Sequence, residues 1–245
     1  MNSELLLPDR MRAVEIRDHA LMPCHVPCPQ PRPEEVLIRV AYAGVNRADI
    51  LQVEGKYDPP AGASPLPGLE VSGHVVAVGN HVTHRKVGDP VCALLSGGGY
   101  AEYVVAPAMH TLPLPQGMSL AQAATLPEAL ATSLMALVTE AALATGETVL
   151  LHGGASGVGL LMGQIARHLG ARVLATVGSA EKAALLADLG MIAIETPRMP
   201  FADAVMKHTQ TQGVDVIIDT LGGPQLETHL RLLRPRGRLV TLAML

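Results

Sequence analysis

The sequence contains very few aromatic residues and cysteines, and this scarcity limits both its core and its covalent chemistry. It has no Trp, one Phe and four Tyr, so the core has to be built from aliphatic side chains and Met. Cys24, Cys28 and Cys92 are too few and too unevenly spaced for a disulfide framework. We therefore expect free thiols in a reducing compartment, and a cytoplasmic location.

Long apolar runs and clusters of positive charge are absent as well. No uninterrupted apolar stretch reaches about 18 residues, and the segment from Met1 to Arg12 does not resemble a signal peptide, so we expect no membrane span. The net charge is −4 without a basic segment, which argues against nucleic acid as a partner. With 49% hydrophobic and 16% charged residues, the composition is typical of a globular chain.

The two halves of the 245-residue chain follow different patterns. Residues 1–118 contain short strand-like runs separated by turns, for example residues 36–40 and 75–78, and this pattern predicts a small β-barrel-like domain. Residues 119–140 are rich in Ala and Leu, which predicts helix with Ser119 as its N-cap. A second domain is therefore predicted over residues 119–245.

Strands and helices alternate regularly after Gly146, and this alternation predicts a parallel doubly wound sheet. The predicted strands are residues 148–152, 172–176, 191–194, 214–219 and 238–243, and the predicted helices are residues 160–169, 180–189, 201–211 and 225–233. Gly170 and Gly190 each follow a helix, at the position where a left-handed C-terminal cap favours Gly.

A glycine-rich loop, HGGASGVG at residues 152–159, follows the first strand of this region and leads into a helix. Glycines there allow a sharp turn and a close approach of the backbone to a diphosphate, and the helix N-terminus supplies free N–H donors. The alternative is a plain tight turn. The strand before the loop and the helix after it favour dinucleotide binding. The candidate cofactor-binding residues are Gly154, Ala155, Ser156, Gly157 and Val158.

The end of the second strand discriminates between NAD and NADP. An NAD site usually carries Asp or Glu there, whereas residues 176–180 contain no acid and Glu181 already lies in the predicted helix. Ser179 can donate a hydroxyl and Lys182 a positive charge to a 2′-phosphate. The alternative is that Ser179 only caps the helix and Lys182 is a solvated surface residue. We predict NADPH as the cofactor.

Several motifs together carry a family resemblance over almost the whole chain from about Arg12. They are NRAD at residues 46–49, GKYDPP at 55–60, PGLEVSGHV at 67–75, VGDPV at 87–91 and GGGYAEYV at 97–104, together with Gly146, Glu147, Gly157, Gly159, Gln164 and Arg167 around the glycine loop. In this respect the chain resembles the zinc-independent quinone oxidoreductases of the medium-chain dehydrogenase/reductases, most closely the p53-inducible type. Gly154 and Ser156 depart from that family's loop.

The resemblance implies an α/β fold with two domains. Residues 1–118 would form a GroES-like β-barrel domain, and residues 119–245 an incomplete Rossmann domain. The family's last strand and its C-terminal return to the first domain are predicted to be absent. In relatives that strand pairs with its twin to form a dimer, so here the fifth strand is expected to be an exposed edge.

The resemblance also identifies residues where zinc-dependent relatives bind metal. Those relatives have Cys at the position of Asn46 and His at the position of Leu69, and neither replacement is a tight zinc ligand. The cysteine-rich lobe that holds structural zinc is missing too. We therefore predict that the protein needs no metal.

Further site residues are implied by the resemblance alone. Asn46 and Thr132 would lie near the nicotinamide end of the cofactor, and Tyr57 near the substrate, where its hydroxyl could donate to a developing oxyanion. Tyr57 and Asn46 are thus the candidate catalytic residues. The alternative for Tyr57 is simple packing of its ring. Gly178, Gly222 and Ala243 complete the predicted cofactor-binding residues.

These observations lead to an NADPH-dependent, zinc-independent reductase that transfers hydride to a small-molecule quinone or activated enone. One alternative is a truncated, catalytically weak remnant that binds cofactor or a protein partner. Another is an enoyl-thioester reductase, which would need a channel for pantetheine. Glu195, where relatives often carry Tyr near the 2′-phosphate, predicts weaker NADPH affinity than in those relatives.

Overall fold

A computed structural model describes residues 7–242 of the chain. The chain forms two compact units that divide between Glu128 and Ala129. Each unit has its own sheets, and we describe the two separately. No helix among the described residues is both long and apolar enough to cross a membrane.

The described part of the first unit, from residue 7 onward, contains seven strands and two short α-helices. The strands are β1 (Arg10–Arg17), β2 (Ala20–Pro27), β3 (Glu35–Ala43), β4 (Glu70–Val78), β5 (Pro90–Leu94), β6 (Tyr103–Pro107) and β7 (Thr111–Pro113), and the helices are α1 (Arg47–Val53) and α2 (Leu120–Ala123). Strands β1 and β2 form an antiparallel hairpin, and the others form a sheet in the order β6-β3-β4-β5-β7. All pairs in this sheet are antiparallel.

Residues two apart on the strands face the same core, as Val36 and Ile38 do on β3 and Val104 and Ala106 on β6. The buried core of the unit consists of aliphatic residues from β3, β4, β5 and β6. Gly73 of β4 is required by packing, because a Cβ atom there would lie 2.1 Å from the carbonyl oxygen of Arg39 on β3. The short strands predicted for residues 36–40 and 75–78 are therefore confirmed, within longer ones.

Two elements of this unit were not predicted. Hairpin β1–β2 turns at Asp18 and His19, both at positive φ (51° and 58°), without the glycine that normally marks such a turn. Helix α1 has only seven residues, which is too short for a clear helical period. Ser119 caps α2 as predicted, since its hydroxyl accepts a hydrogen bond from the backbone N–H of Gln122 (3.3 Å).

The second unit is built on a parallel sheet. Its strands are β8 (Thr148–Leu151), β9 (Arg172–Val177), β10 (Ile192–Glu195), β11 (Val214–Asp219) and β12 (Leu233–Thr241). The helices of this region are α3 (Pro127–Leu134), which contains the division between the units, a π-helical turn (Met135–Glu140), α4 (Gly157–His168), α5 (Ala180–Asp188), α6 (Phe201–His208) and α7 (Leu226–Leu232). The strand order is β10-β9-β8-β11-β12, with every pair parallel.

The predicted alternation of strands and helices is confirmed, with shifted boundaries. Gly170 and Gly190 adopt positive φ (82° and 72°) directly after their helices, as a C-terminal cap requires. Strand β12 begins at Leu233 rather than 238, because a bulge in its pairing with β11 absorbs the intervening residues. Among the described residues β12 has one strand neighbour, so it is an edge of the sheet.

Strand β8 is the centre of this unit. All four of its residues are buried, between β9 on one side and β11 on the other. Aliphatic residues from these three strands and from α4 and α5 form its largest core cluster. The carboxyl ends of β8, β9 and β11 are therefore adjacent, and the loops that follow them meet at one edge of the sheet.

Arg238 joins the start of β8 to the edge strand. Its guanidinium donates to both carboxylate oxygens of Glu147 (2.7 Å each) and to the carbonyl oxygens of Ala141 and Ala142. We expect Arg238→Met to lower the free energy of unfolding by about 2 kcal/mol, because the carboxylate and two carbonyls lose charge-assisted bonds. Urea denaturation measures this, with Lys207→Met on the exposed face of α6 as the control. Equal stability of the two variants would contradict the prediction.

Candidate functional site

The glycine loop leads directly from β8 into helix α4. The helix begins at Gly157, earlier than predicted, and Ser156 is its N-cap. The Ser156 hydroxyl accepts a hydrogen bond from the Gly159 backbone N–H (3.0 Å). As first-turn residues, Gly157 and Val158 have N–H groups without acceptors inside the helix. The loop therefore presents backbone donors at the positive end of a helix dipole.

The glycines of the loop have two different roles. A Cβ atom at Gly154 would lie 2.6 Å from the Cβ of Ala175, and one at Gly159 would lie 2.4 Å from the carbonyl oxygen of Gly153. These two glycines are thus required by the protein's own packing. A Cβ at Gly157 would meet nothing within 4 Å. The loop is closely packed on one side and open on the other, which fits the phosphates of a dinucleotide.

The end of β9 lies beside this loop. Gly178 and Ser179 are exposed, and a Cβ at Gly178 would meet nothing within 4 Å. The Ser179 hydroxyl accepts a hydrogen bond from the Lys182 backbone N–H (3.3 Å), so the helix-capping interpretation of Ser179 is correct. That bond uses the hydroxyl as acceptor and leaves its proton able to reach a ligand. The side chain of Lys182 is exposed.

Glu195 at the end of β10 was expected to weaken NADPH binding by placing a negative charge near the 2′-phosphate. In the structure this charge has a cationic partner. The Glu195 carboxylate is paired with Arg198 (Nε–Oε2 2.8 Å). The following turn is held against β9, because the backbone N–H and the hydroxyl of Thr196 both donate to the carbonyl oxygen of Val177 (3.0 and 3.3 Å). The negative charge of Glu195 is thus offset by a guanidinium on the same turn.

A buried polar cluster, which no sequence motif indicated, lies beneath the glycine loop. His152, Thr176, Asp219 and His229 are each at most 5% exposed. The two histidine side chains meet at their ring edges, with the Nε2 atoms 3.0 Å apart. Burial, and then the neighbouring His229, lower the pKa of His152 to about 4. Burial also lowers the pKa of His229, against the opposing effect of Asp219.

Asp219 shapes the loop that contains Gly222. One carboxylate oxygen accepts hydrogen bonds from the backbone N–H groups of Leu221 (2.7 Å) and Gly222 (3.3 Å). Gly222 has φ 80° and an open Cβ direction, so the loop favours glycine for its conformation and leaves space beside it. In this way the second unit brings together the predicted cofactor residues at the ends of β8, β9 and β11.

Asn46 in the first unit is held by two buried acids. Its amide donates to Glu70 Oε1 (2.9 Å), and its backbone N–H donates to Asp49 Oδ2 (2.8 Å). Burial raises the pKa of Glu70, while the Glu128 backbone N–H and the Asn46 amide act in the opposite direction. Gly44 is required here, because a Cβ atom would lie 2.2 Å from Glu70 Oε1. Glu70 could have been recognised in the sequence as an acid at the start of a buried strand.

The remaining predicted residues are not gathered into one cluster. Tyr57 is half-buried in the loop after α1, in the first unit, and Thr132 is half-buried on α3, in the second. Ala243 lies outside the described residues. At the positions where zinc-dependent relatives would carry ligands, Asn46 bonds to Glu70 and Leu69 is a buried alkyl side chain. Over residues 7–242, no group of three or more His, Cys, Asp or Glu could hold a metal ion.

Two protein-family models match the chain. Residues 32–116 match the alcohol dehydrogenase GroES-like domain, and residues 157–245 match a family described as zinc-binding dehydrogenase. The first match lies in the antiparallel unit and the second begins at the first residue of α4.

Individual relatives point to the same superfamily. The phthioceranic/hydroxyphthioceranic acid synthase of Mycobacterium tuberculosis is 34% identical over 98% of this chain, which spans only 11% of that synthase. The crystal structure of CurK enoyl reductase is 31% identical, with a TM-score of 0.87 over 96% of this chain and 74% of that one. The quinone oxidoreductase from Coxiella burnetii is 29% identical, with a TM-score of 0.83 over 96% of this chain and 76% of that one.

The antiparallel unit agrees with the GroES-like match, and the parallel sheet with its glycine loop agrees with the dehydrogenase match. The identity to a solved enoyl reductase holds across nearly three quarters of that protein. The chain therefore belongs to the medium-chain dehydrogenase/reductase superfamily of oxidoreductases.

Proposed function

We propose that the protein is an NADPH-dependent, zinc-independent reductase that transfers hydride to a quinone or to an enone. The observation that carries the proposal is the glycine loop, which is packed tightly at Gly154 and Gly159 and open at Gly157. Such a loop at the carboxyl edge of a parallel sheet is suited to a dinucleotide. The membership of an oxidoreductase superfamily supports a nicotinamide cofactor.

The residues that would hold the cofactor follow from the exposed donors. The N–H groups of Gly157 and Val158 would bind the diphosphate, and the open loop at Gly222 would border it. Ser179 and Lys182 would bind the 2′-phosphate, with Arg198 as an additional cation on the neighbouring turn. When bound, NADPH supplies the hydride, and the protein supplies binding, orientation and electrostatic stabilisation.

Our choice of acceptor rests on the absence of recognisable zinc ligands at Asn46 and Leu69. Without a metal to polarise a carbonyl, an acceptor that delocalises its own negative charge is favoured, as quinones and enones do. Tyr57 would donate its hydroxyl to the developing oxyanion, and Asn46, fixed by Glu70 and Asp49, would orient the nicotinamide end. From the resemblance of the sequence motifs we also propose that the chain belongs to the quinone oxidoreductase branch and its p53-inducible type.

A second candidate acceptor is an enoyl thioester. It is favoured by the similarity to a phthioceranic/hydroxyphthioceranic acid synthase and to an enoyl reductase structure. Hydride addition to the β-carbon of an enoyl thioester is the same chemistry as addition to an enone, since both give an enolate oxyanion. The two candidates therefore differ in how the acceptor is recognised and share the cofactor site.

The direct test is to titrate folded protein with NADPH and with NADH, and then to follow NADPH oxidation with three acceptors. The acceptors are a benzoquinone, a simple enone and a short enoyl thioester. Turnover of the first two supports our proposal, and exclusive turnover of the thioester supports the second candidate. Binding without any turnover would identify a weakly active remnant, and failure to bind either nucleotide would overturn the proposal.

Gly157→Asp should abolish dinucleotide binding without unfolding the protein. The Cβ atom of the added side chain would point into open space, and an acid in the first turn of a helix is stabilising. Its charge would repel the diphosphate, so we expect the Kd of NADPH to rise by at least 100-fold, roughly 3 kcal/mol. The matched control is Gln164→Asp, the same charge at an exposed position on α4. Unchanged affinity in Gly157→Asp would exclude this loop as the site.

Lys182→Gln tests the preference for NADPH. Loss of one cation from the 2′-phosphate should raise the Kd of NADPH by about 10-fold and leave the Kd of NADH unchanged, because NADH lacks that phosphate. Fluorescence titration of both nucleotides gives the ratio. Lys207→Gln, an exposed lysine of α6, is the control. An equal change in the Kd of both nucleotides would mean that Lys182 does not bind the 2′-phosphate.

Tyr57→Phe separates an oxyanion donor from a packing residue. If the hydroxyl stabilises the oxyanion, kcat should fall by about 100-fold while the Kd of NADPH stays the same. Steady-state kinetics with the best acceptor measures this, with Tyr42→Phe, an exposed tyrosine of β3, as the control. Unchanged kcat would leave Tyr57 with the packing role alone.

A further inference from the structure

The buried polar cluster of the second unit connects two loops that are far apart in sequence. At one end, the backbone N–H of Gly153 in the glycine loop donates to the hydroxyl oxygen of Thr176 (3.2 Å). At the other end, the carboxylate of Asp219 accepts the N–H groups of Leu221 and Gly222. Between them lie His152 and His229, whose rings are in direct contact.

The contacts along the cluster form one continuous series. Thr176 Oγ1 lies 3.2 Å from His152 Nδ1, and His152 Nε2 lies 3.0 Å from His229 Nε2. His229 Nδ1 lies 3.5 Å from Asp219 Oδ2, and this contact is electrostatic, because among the described residues the buried Nδ1 atom has no hydrogen-bond partner. The four side chains are buried, and the ring of Phe201 packs edge-on against His152 at 4.9 Å.

The carboxylate of Asp219 determines which atom donates and which accepts at each contact of this series. A lone pair on His229 Nδ1 would face a carboxylate, so the proton of His229 belongs on Nδ1 and its Nε2 accepts. His152 must then donate from Nε2 and accept at Nδ1, from the Thr176 hydroxyl. The Thr176 oxygen in turn accepts the Gly153 N–H. With both histidines neutral each of these contacts has one donor and one acceptor, and protonation of His229 at Nε2 would bring two N–H groups face to face.

We propose that His229 is a positioning residue for dinucleotide binding, which acts by completing a directional chain from Asp219 through His152 and Thr176 to the glycine loop. The chain fixes Gly153 and the Leu221–Gly222 turn relative to each other. This inference rests on the proposed function, because those two loops are the proposed cofactor loops. It goes further, because the side chains of His229, Asp219 and Thr176 are not among the groups proposed to contact the cofactor.

Asp219→Asn tests the direction of the chain without changing its shape. The amide oxygen can still accept the Leu221 N–H, while the amide nitrogen now presents a donor to His229 Nδ1. Both histidines should therefore exchange tautomers. We expect side-chain ¹⁵N shifts to give Nδ1–H for His229 and Nε2–H for His152 in the natural protein, and the reverse for both in the variant. A change confined to His229, or the opposite tautomers in the natural protein, would overturn the proposal.

The pH dependence of stability tests whether the pair is neutral. The groups facing His152 are His229 on α7 and Asp219 on β11, together with the uncharged Thr176 and Phe201. The pKa of His152 is lowered from 6.5 to about 4, so between these values the unfolded chain binds a proton that the folded protein does not. Stability should fall as the pH decreases through this window. His152→Gln should remove about one proton from that dependence, and an unchanged dependence in this variant would contradict the neutral pair.

The deciding experiment measures NADPH affinity and amide exchange in the full chain, with His229→Leu and the control His168→Leu. We expect the Kd of NADPH to rise by about 10-fold in His229→Leu, which interrupts the chain, and to stay unchanged in the control. We also expect exchange of the Gly153 and Leu221 amides to accelerate together by at least 10-fold in His229→Leu. Unchanged affinity in folded His229→Leu, or acceleration at only one of the two amides, would overturn the proposal. If the natural protein binds no nucleotide, the proposed function fails, and the paired amide exchange still decides whether the chain couples the loops.

Discussion

The close packing of the glycine loop against the parallel sheet is the constraint on which the rest of the second unit depends. Strand β8 is buried along its whole length, so its backbone can be satisfied only by β9 and β11 on its two sides. The chain leaving β8 must then turn within a space that admits no Cβ at Gly154 or Gly159. This turn aims the N-terminus of α4 at the carboxyl edge of the sheet, where its unpaired N–H groups are available to an anion.

The polar residues beneath the glycine loop supply hydrogen-bond acceptors for backbone N–H groups of the loops packed against the sheet. The backbone N–H groups of Gly153, Leu221 and Gly222 lie in partly buried contacts, and each has a side-chain acceptor. Thr176 supplies one for Gly153, and Asp219 supplies two for the turn after β11. The two histidines fill the space between these acceptors with groups that can both donate and accept. A neutral pair fits this environment, because burial of an unpaired charge costs more than burial of a hydrogen-bonded neutral ring.

The first unit uses buried acids in a comparable way. Asp49 and Glu70 are almost fully buried, and their oxygens accept bonds from Asn46, from the Gly68 backbone N–H and from the Glu128 backbone N–H. Asn46 is thereby fixed on both its backbone and its side chain. A residue so constrained is suited to orienting a ligand, since little further entropy is lost on binding. Tyr57, in a loop and only half-buried, carries no comparable restraint.

The sequence by itself determined the kinds of element and the place of the glycine loop. Hydrophobic periodicity and the glycines after helices are local properties, so the alternation from β8 to β12, the cap at Ser119 and the glycine loop could be predicted. Hairpin β1–β2 was missed because its turn has Asp18 and His19 instead of glycine. Only the tertiary structure could bring together the buried polar side chains beneath the glycine loop. His152 and His229 are 77 residues apart in the sequence, and they meet because β8 lies beside β11. Strand order depends on the packing of the whole unit, and no local pattern encodes it.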